Sequence, residues 1–405
     1  ELLAPAGNWE RFVTAIQFGA DAVYLGTTAF SLRNLADNFT LEQVAEAVRY
    51  AHERSVKVYV TVNAFMRDDD LENLPETIAA LDGADALIIN DPSVIRIAKR
   101  VAPNLPLHLS TQANTLNSEA ALFWHEQGIE RIVLARELTL SQIAQMRRKL
   151  PETLELEAFV HGAMCVSYSG RCLFSNYIDG RDSNRGECVQ PCRWSYEIRE
   201  RGNDGEYFTV VADRKGSFIL NSRDMCMAEH LNEVIDSGII SLKIEGRMKS
   251  ILYVATVVNA YRMALDGCDM ELVMNELNRI SHRPYTTGFM LDNDAMGSKA
   301  PLMAPESGGY IQDYAIAAVV LDYDSERKIA HVEQRNRFFD GDELHILAPK
   351  DVARAFRVNG IRSEEGEMQQ SAPHPCQKLY IGCSEPVAPG SILRVAAKKN
   401  PVFSA

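Results

Sequence analysis

The chain has 405 residues, 46% apolar and 24% charged, proportions of an ordinary globular protein that exclude a disordered, collagen-like or coiled-coil chain. Forty-two Lys and Arg stand against 55 Asp and Glu, a formal charge of −13, which argues against a generally sticky nucleic-acid coat. No apolar run reaches the roughly 18 residues of a membrane span, and the sequence enters directly on Glu1-Leu2-Leu3-Ala4-Pro5 with no basic segment before it, so a soluble cytoplasmic protein is expected.

Short β-branched runs recur along the chain, each followed by an amphipathic helix pattern. They begin at Leu2, Ala22, Val56, Ala86, Leu107, Ile132, Leu156 and Ser241. Most intervals hold about 20 to 35 residues, room for one strand, one helix and two loops, which implies a parallel sheet. Eight such units predict an α/β fold, a closed (β/α)8 TIM-like barrel over residues 1–282. Asn8 can cap the first helix and Gly19 can end it, and Thr40 to Gln43 reads as a capping box. The seventh interval is far longer and makes a cysteine-rich insertion after strand seven, at 162–217. Such insertions follow the strand ends that form the active face of a barrel. Helix patterns run from Gly246 to Gly267 and from Met270 to Ile280. Residues 283–308, rich in Pro and Gly, read as a linker. Alternating runs over 309–405 then predict a small C-terminal all-β barrel domain.

Polar residues follow the predicted strands: Arg33, Asn63, Asp91, Gln112, Asn114, Arg136, Glu137, His161, Glu245 and Arg247. Each alone reads as a loop residue, but together they favour a polar ligand pocket. Arg33, Arg136 and Arg247 offer planar forks for carboxylate or phosphate, although Arg136 could instead balance Glu137. Asp68, Asp69 and Asp70 read as a helix start from Leu71, where carboxylates favour the positive end of the dipole, rather than as cation ligands. Arg335, Arg337, Phe338 and Phe339 interleave basic and aromatic residues as nucleic-acid surfaces do, or form a strand edge with a packed Phe pair.

Of eight cysteines, Cys165, Cys172, Cys188 and Cys192 crowd together, separated by six, fifteen and three residues. Zinc modules use two tight knuckles, and here only the second pair is tight. Uneven loops of thiolates suit a [4Fe-4S] cluster better, with zinc left open by spacing alone. Cys226, Cys268, Cys376 and Cys383 read as ordinary buried thiols. Across Cys165 to Arg262 basic and acidic residues balance at 13 each, which leaves room for a local anion or nucleic-acid site.

The run from Glu157 to Cys165, followed by Tyr168-Ser-Gly-Arg-Cys172, resembles the signature of the peptidase U32 family. Gly186 to Trp194, Asn221 to Asp224, Leu242 to Arg247 and His282 to Phe289 are also similar to its motifs, as are Ala4 to Gly7 and Ser31 to Arg33. The likeness covers roughly residues 1 to 290 and is greatest to the tRNA hydroxylation branch of that family. Arg223 and Pro284 depart from the residues usual there. The resemblance implies a barrel with a C-terminal β-domain, four cysteines ligating an iron-sulfur cluster, and oxygen-independent synthesis of 5-hydroxyuridine at the wobble position of tRNA, in the anticodon region, with prephenate as co-substrate. Among the residues at the strand ends, His161, Glu137 and Glu245 are the candidate catalytic groups. Arg33, Asn63, Gln112, Asn114, Arg136, Asn221, Lys243 and Arg247 become the candidate substrate-binding groups. Alternatives are hydroxylation of ribosomal RNA or a ubiquinone precursor, a peptidase built on Cys165 and His161, and a purely structural metalloprotein.

Overall fold

The β-branched runs fold into the expected parallel strands in a computed structural model that describes residues 1–31, 37–194, 199–201, 207–209, 221–291 and 311–397. The strands are β1 (Leu2–Pro5), β2 (Ala22–Gly26), β3 (Lys57–Val62), β4 (Ala86–Ile89), β5 (Leu107–Leu109), β6 (Arg131–Val133) and β7 (Glu155–Ala163). Three short strands intervene, β8 (Arg199–Arg201), β9 (Tyr207–Thr209) and β10 (Asp224–Cys226), before β11 (Ser241–Ile244) pairs in parallel with both β7 and β1 and closes the barrel. The alternation places helices between the strands: α1 (Trp9–Gln17), α2 (Leu41–His52), α3 (Leu74–Ala80), α4 (Pro92–Val101), α5 (Ser118–Glu126), α6 (Leu140–Arg147) and α8 (Leu231–Asp236), with α7 (Phe174–Asp179) inside the insertion.

Local signals explain the helix starts. The Arg11 amide donates to Asn8 Oδ1 at 3.1 Å, and Thr40 with Gln43 forms the capping box. Asp91 caps α4 through the Ser93 amide at 2.9 Å, so this strand-end carboxylate serves a helix terminus. The aspartate run departs from expectation. Asp68 to Leu71 forms a separate 3-10 turn, and α3 begins only at Leu74.

The barrel interior is layered. Leu3, Ala22, Tyr24, Tyr59, Ala86 and Ile88 form an apolar cluster, as alternate inward residues of the strands must. Beside it lies a charged layer. The Lys243 ammonium meets Glu157 at 2.6 Å, and Arg131 meets Glu157 at 3.3 Å and Glu1 at 2.6 Å, all in sites nearly closed to water. Burial pulls the Lys243 ammonium downward, and Glu157 opposes it.

The chain divides into two compact units. The first comprises residues 1–12, 21–248 and 283–310, and the second 13–20, 249–282 and 311–405. In the first, β12 (Tyr285–Thr286) extends the sheet beside β10. The second holds α9 (Ile251–Leu265), α10 (Met270–Leu277) and an eight-stranded antiparallel half-barrel. Its strands are β13 (Tyr314–Asp324), β14 (Ile329–Gln334), β16 (Glu343–Leu347), β17 (Arg354–Arg357), β18 (Asn359–Ser363), β19 (Met368–Gln369), β21 (Lys378–Gly382) and β22 (Ile392–Ala396). A separate pair joins β15 (Phe338–Phe339) to β20 (Ser371–Ala372). Phe338 is fully buried in the core of this half-barrel, so only Phe339 of the pair reaches the surface. Within the same unit, Arg394 is buried against Glu276 at 2.6 Å. No helix among the described residues is long and apolar enough to cross a membrane.

The charged layer generates a stability test. Glu157→Ala strands two buried cations and should cost the barrel about 3 to 5 kcal/mol, read as a lowered urea midpoint with an unchanged slope. A loss under about 1 kcal/mol would mean that Glu1 and Glu155 alone compensate Arg131.

Candidate functional site

Strand parity decides which side chains line the mouth of the barrel. Thr61 and Asn63 continue the inward face of Tyr59, Asn90 that of Ala86 and Ile88, and His161 that of Glu157 and Phe159. The mouth is therefore amide-rich. Asn63 donates to Ser110 at 3.4 Å, and Ser110 donates to Gln112 Oε1 at 2.9 Å. The Asn90 Nδ2 and Gln112 Nε2 donors are buried with no hydrogen-bond partner among the described residues, and both side chains are at least nine-tenths buried. A buried amide without a partner is costly. Two at one mouth mark where a ligand's oxygen atoms would be met. Asn90 is absent from the residues singled out in the sequence; its signal was strand parity, overlooked beside the charged Asp91.

The cysteine loop folds onto this mouth. Asn114, in a left-handed conformation, donates to the Ser169 carbonyl at 3.1 Å. Gly170 packs so closely that a Cβ there would come within 3.2 Å of both Gln112 and Phe65, and its φ of +70° also favours glycine. Arg185, further along the insertion, forks onto Asp70 at 2.6 and 3.1 Å. Its hydrogen bonds hold the Asp70 carboxyl below the usual range.

The other three clustered cysteines lie within electrostatic reach of Cys192. Burial pushes the Cys192 thiol up to about 11 against the pull of Arg193, and the charges of Cys165, Cys188 and Cys172 push the same way. Cys165 is exposed and the other three half-buried. Among the described residues no three Cys, His, Asp or Glu side chains close on a point where one ion would sit. The donor set is all-sulfur and soft, which fits an iron-sulfur group. Elsewhere, Cys226 and Cys383 are buried as expected, but Cys268 and Cys376 are exposed in turns, where no apolar periodicity encloses them.

The remaining candidates divide. His161 is buried with its ring edge-to-face on Tyr285 at 5.5 Å, and its carbonyl accepts from the Glu245 amide at 2.9 Å. Arg136 donates to the Ala163 carbonyl at 2.8 Å and lies 3.9 Å over the Phe159 ring. Burial raises the Glu137 carboxyl above its ordinary value, and neighbouring amides and Arg136 only partly offset this. Arg247 is buried and donates to Ser31 at 2.7 Å, to Thr61 at 3.2 Å and to Asn38. Side chains at Gly7 and Gly26 would collide with it. Lys243 is not at the mouth, being held inside the barrel by Glu157. Arg33 lies outside the described residues. In the small half-barrel, Arg335 is paired with Glu333 at 2.8 Å and Arg337 lies 5.0 Å over Phe339.

Asn221 belongs to a buried knot at the foot of the insertion. Arg283, 1% exposed, grips Asp224 through Nη2 at 2.6 Å and Nε at 3.0 Å, and donates to Asn221 at 3.0 Å and Ser222 at 3.3 Å. The motif from His282 to Phe289 was visible in the sequence, but its arginine carried no assigned role. Breaking this pair by Asp224→Ala should cost about 3 to 5 kcal/mol locally. The amides of β10 should then exchange far faster by hydrogen exchange while those of β2 and β3 hold. Uniform acceleration across the barrel would show that the knot supports the whole fold instead.

Comparison with known proteins places these features. The model of peptidase family U32 matches residues 7–299, and that of the peptidase family U32 C-terminal domain matches 312–394. The chain is 38% identical to tRNA hydroxylation protein P1 of Bacillus subtilis, over 97% of this chain and 94% of the relative. It is 33% identical to tRNA hydroxylation protein P of Escherichia coli, over 92% and 91%. With the 23S rRNA 5-hydroxycytidine C2501 synthase of Escherichia coli it shares 39% identity, over 91% of this chain and 55% of the relative.

Proposed function

The chain belongs to peptidase family U32, and from that membership and the geometry of the barrel mouth we propose that it is an RNA hydroxylase acting on tRNA. In the finer reading it makes 5-hydroxyuridine at the wobble position without molecular oxygen, using a [4Fe-4S] cluster on Cys165, Cys172, Cys188 and Cys192 and prephenate as co-substrate. The observation that carries the proposal is the seating of the cysteine loop, with Ser169 on Asn114 and Gly170 on Gln112, at a mouth with two unpartnered buried amides. The names of the relatives at 38% and 33% identity support tRNA as the substrate class.

Hydroxylating a pyrimidine ring is redox chemistry that side chains cannot perform, and a cluster held by Cys165, Cys172, Cys188 and Cys192 would supply electron transfer when bound. The chain's own groups bind and orient. Asn90 and Gln112 present fixed N–H donors to carbonyl or carboxylate oxygens in a site shut off from water, where such donors count most. Glu137, its carboxyl raised by burial, keeps its proton to higher pH than a free glutamate and serves as proton donor. His161 stands on the inward face at the end of β7, and the Glu245 amide donates to its carbonyl. Arg136 braces the end of β7 through the Ala163 carbonyl, while Arg247 holds Ser31 and Asn38. A peptidase would need His161 to activate Cys165, yet His161 is 1% exposed against Tyr285 whereas Cys165 is exposed.

Protein purified anaerobically should be brown and carry about four irons with matching sulfide. Cys188→Ser should lose the iron and the tRNA modification while circular dichroism of the barrel persists. Stoichiometric zinc without iron in the wild-type protein would overturn the cluster. The acid role has its own test. Modification should decline as pH rises through the raised pKa of Glu137, and Glu137→Gln should remove that limb and lower the rate 10²- to 10⁴-fold. An unaltered profile in the variant would assign the proton elsewhere.

A further inference from the structure

The acidic second unit carries one groove of the opposite sign. Residues 311–397 hold ten Lys and Arg against thirteen Asp and Glu, yet a groove of about 970 Å3 on this half-barrel is lined by four cations, Arg327, Lys328, Arg357 and Arg362, and one carboxylate, Asp340. Asp340 is already engaged by the Gly360 amide at 2.7 Å. Arg327 has only a distant contact with Asp324 at 3.7 Å. Lys328, Arg357 and Arg362 have no ion pair among the described residues. Like charges gathered without counterions repel one another, and an incoming anion relieves that repulsion.

The same groove presents an aromatic platform. Strand register sets Met368 opposite Arg362, Arg362 opposite Tyr380, and Tyr380 opposite His331. Alternation sends Ile361, Leu379, Ile381 and Val332 into the core, so the row faces out. The His331 ring stacks on Tyr380 at 4.7 Å and 19°, which fixes the tyrosine while leaving it 38% exposed. A pinned, exposed aromatic beside unpaired guanidinium groups on a sheet face has the chemistry of single-stranded nucleic-acid binding: stacking for a base, charge for the phosphates.

We propose that this groove, rather than the patch around Arg335 and Arg337, is an RNA-binding site of the protein, taking an unpaired stretch of RNA with phosphates on Arg357 and Arg362 and a base on Tyr380. The inference rests on the RNA reading of the barrel and adds where the substrate is gripped. An acidic protein segment would satisfy the cations but would leave the stacked tyrosine without a use.

The test uses the full chain and a fluorescent tRNA transcript with uridine at the wobble position, with anisotropy followed over a salt series. Arg357→Ala with Arg362→Ala should weaken binding at least fivefold and flatten the log–log salt slope by about 1.4 to 1.8, as expected for two lost phosphate contacts. Replacing both with Lys should restore most of the affinity. Tyr380→Leu should weaken binding at least fivefold with the slope unchanged, because stacking releases no counterions. Wild-type affinity and slope in both groove variants overturn the proposal, as does a loss confined to Arg335→Ala with Arg337→Ala. Displacement of the tRNA by polyglutamate but not by oligouridylate would reassign the groove to an acidic protein and overturn it equally. Nucleoside mass analysis of the wild-type reaction separates the two readings. Groove-dependent binding without hydroxylated product would sink the hydroxylase reading and keep this one.

Discussion

The buried pair of Arg283 and Asp224 is the constraint on which the site depends, because it stands where the cysteine insertion leaves and re-enters the barrel. Strand β7 runs past the barrel to Ala163, and β10 returns antiparallel with Asp224 opposite Ala163 and Cys226 opposite His161. The insertion is thus tied at its base by a two-stranded ribbon. Closing a loop of this length costs only a little more entropy than closing a short one. Fixing its orientation is the harder problem. Arg283 does this with a fork on Asp224 and bonds to Asn221 and Ser222, so three side chains and the backbone around them share one buried geometry. Asn114 and Gln112, at the end of β5, then meet an insertion whose root is already set.

The charged interior of the barrel follows from the same economy of strands. Strand β11 shares its register with β7 up to a bulge between Lys243 and Ile244. The inward position on each side is ionic, Lys243 facing Glu157. A buried pair of this kind adds little net stability over an apolar pair. It does penalise any slip of register, since a shift of one residue would turn the lysine outward and leave the glutamate alone. This accounts for Lys243 within a motif whose neighbours Glu245 and Arg247 reach the mouth. It braces the strand that carries them.

Much of this was legible in the sequence, and the failures share a cause. The barrel could be read because each strand and helix declares itself by period and the units repeat. The cysteine insertion stood out because four thiols lie within 28 residues. Strand β10 was hidden because three residues carry no period, and its antiparallel pairing breaks the β-α order. Lys243 and Asn90 are hard to place from sequence for one reason. Adjacency to a strand end does not reveal strand parity, which sends Asn90 to the mouth and Lys243 down into the barrel. Asp91 drew attention by its charge, although its carboxylate is spent capping α4. The groove on the half-barrel was invisible because Arg327 lies in the turn between β13 and β14 while Arg357 and Arg362 lie on β17 and β18, and only the strand order β14-β21-β18, with the chain passing directly from β17 into β18, brings them together.

These placements also explain how an acidic chain can be read as an RNA enzyme. A uniformly basic coat would bind any polyanion, and its long-range attraction would hold RNA wherever it first touched. Here the mouth of the barrel relies on neutral amides, whose preference for a particular oxygen is geometric and short-ranged. On the half-barrel, four cations gather at a groove beside an exposed aromatic stack, the arrangement proposed to take a base face. The surrounding carboxylates repel duplex backbones that offer phosphate without an accessible base. Under the proposed RNA reading, selectivity comes as much from what the net charge of −13 turns away as from what the groove cations attract.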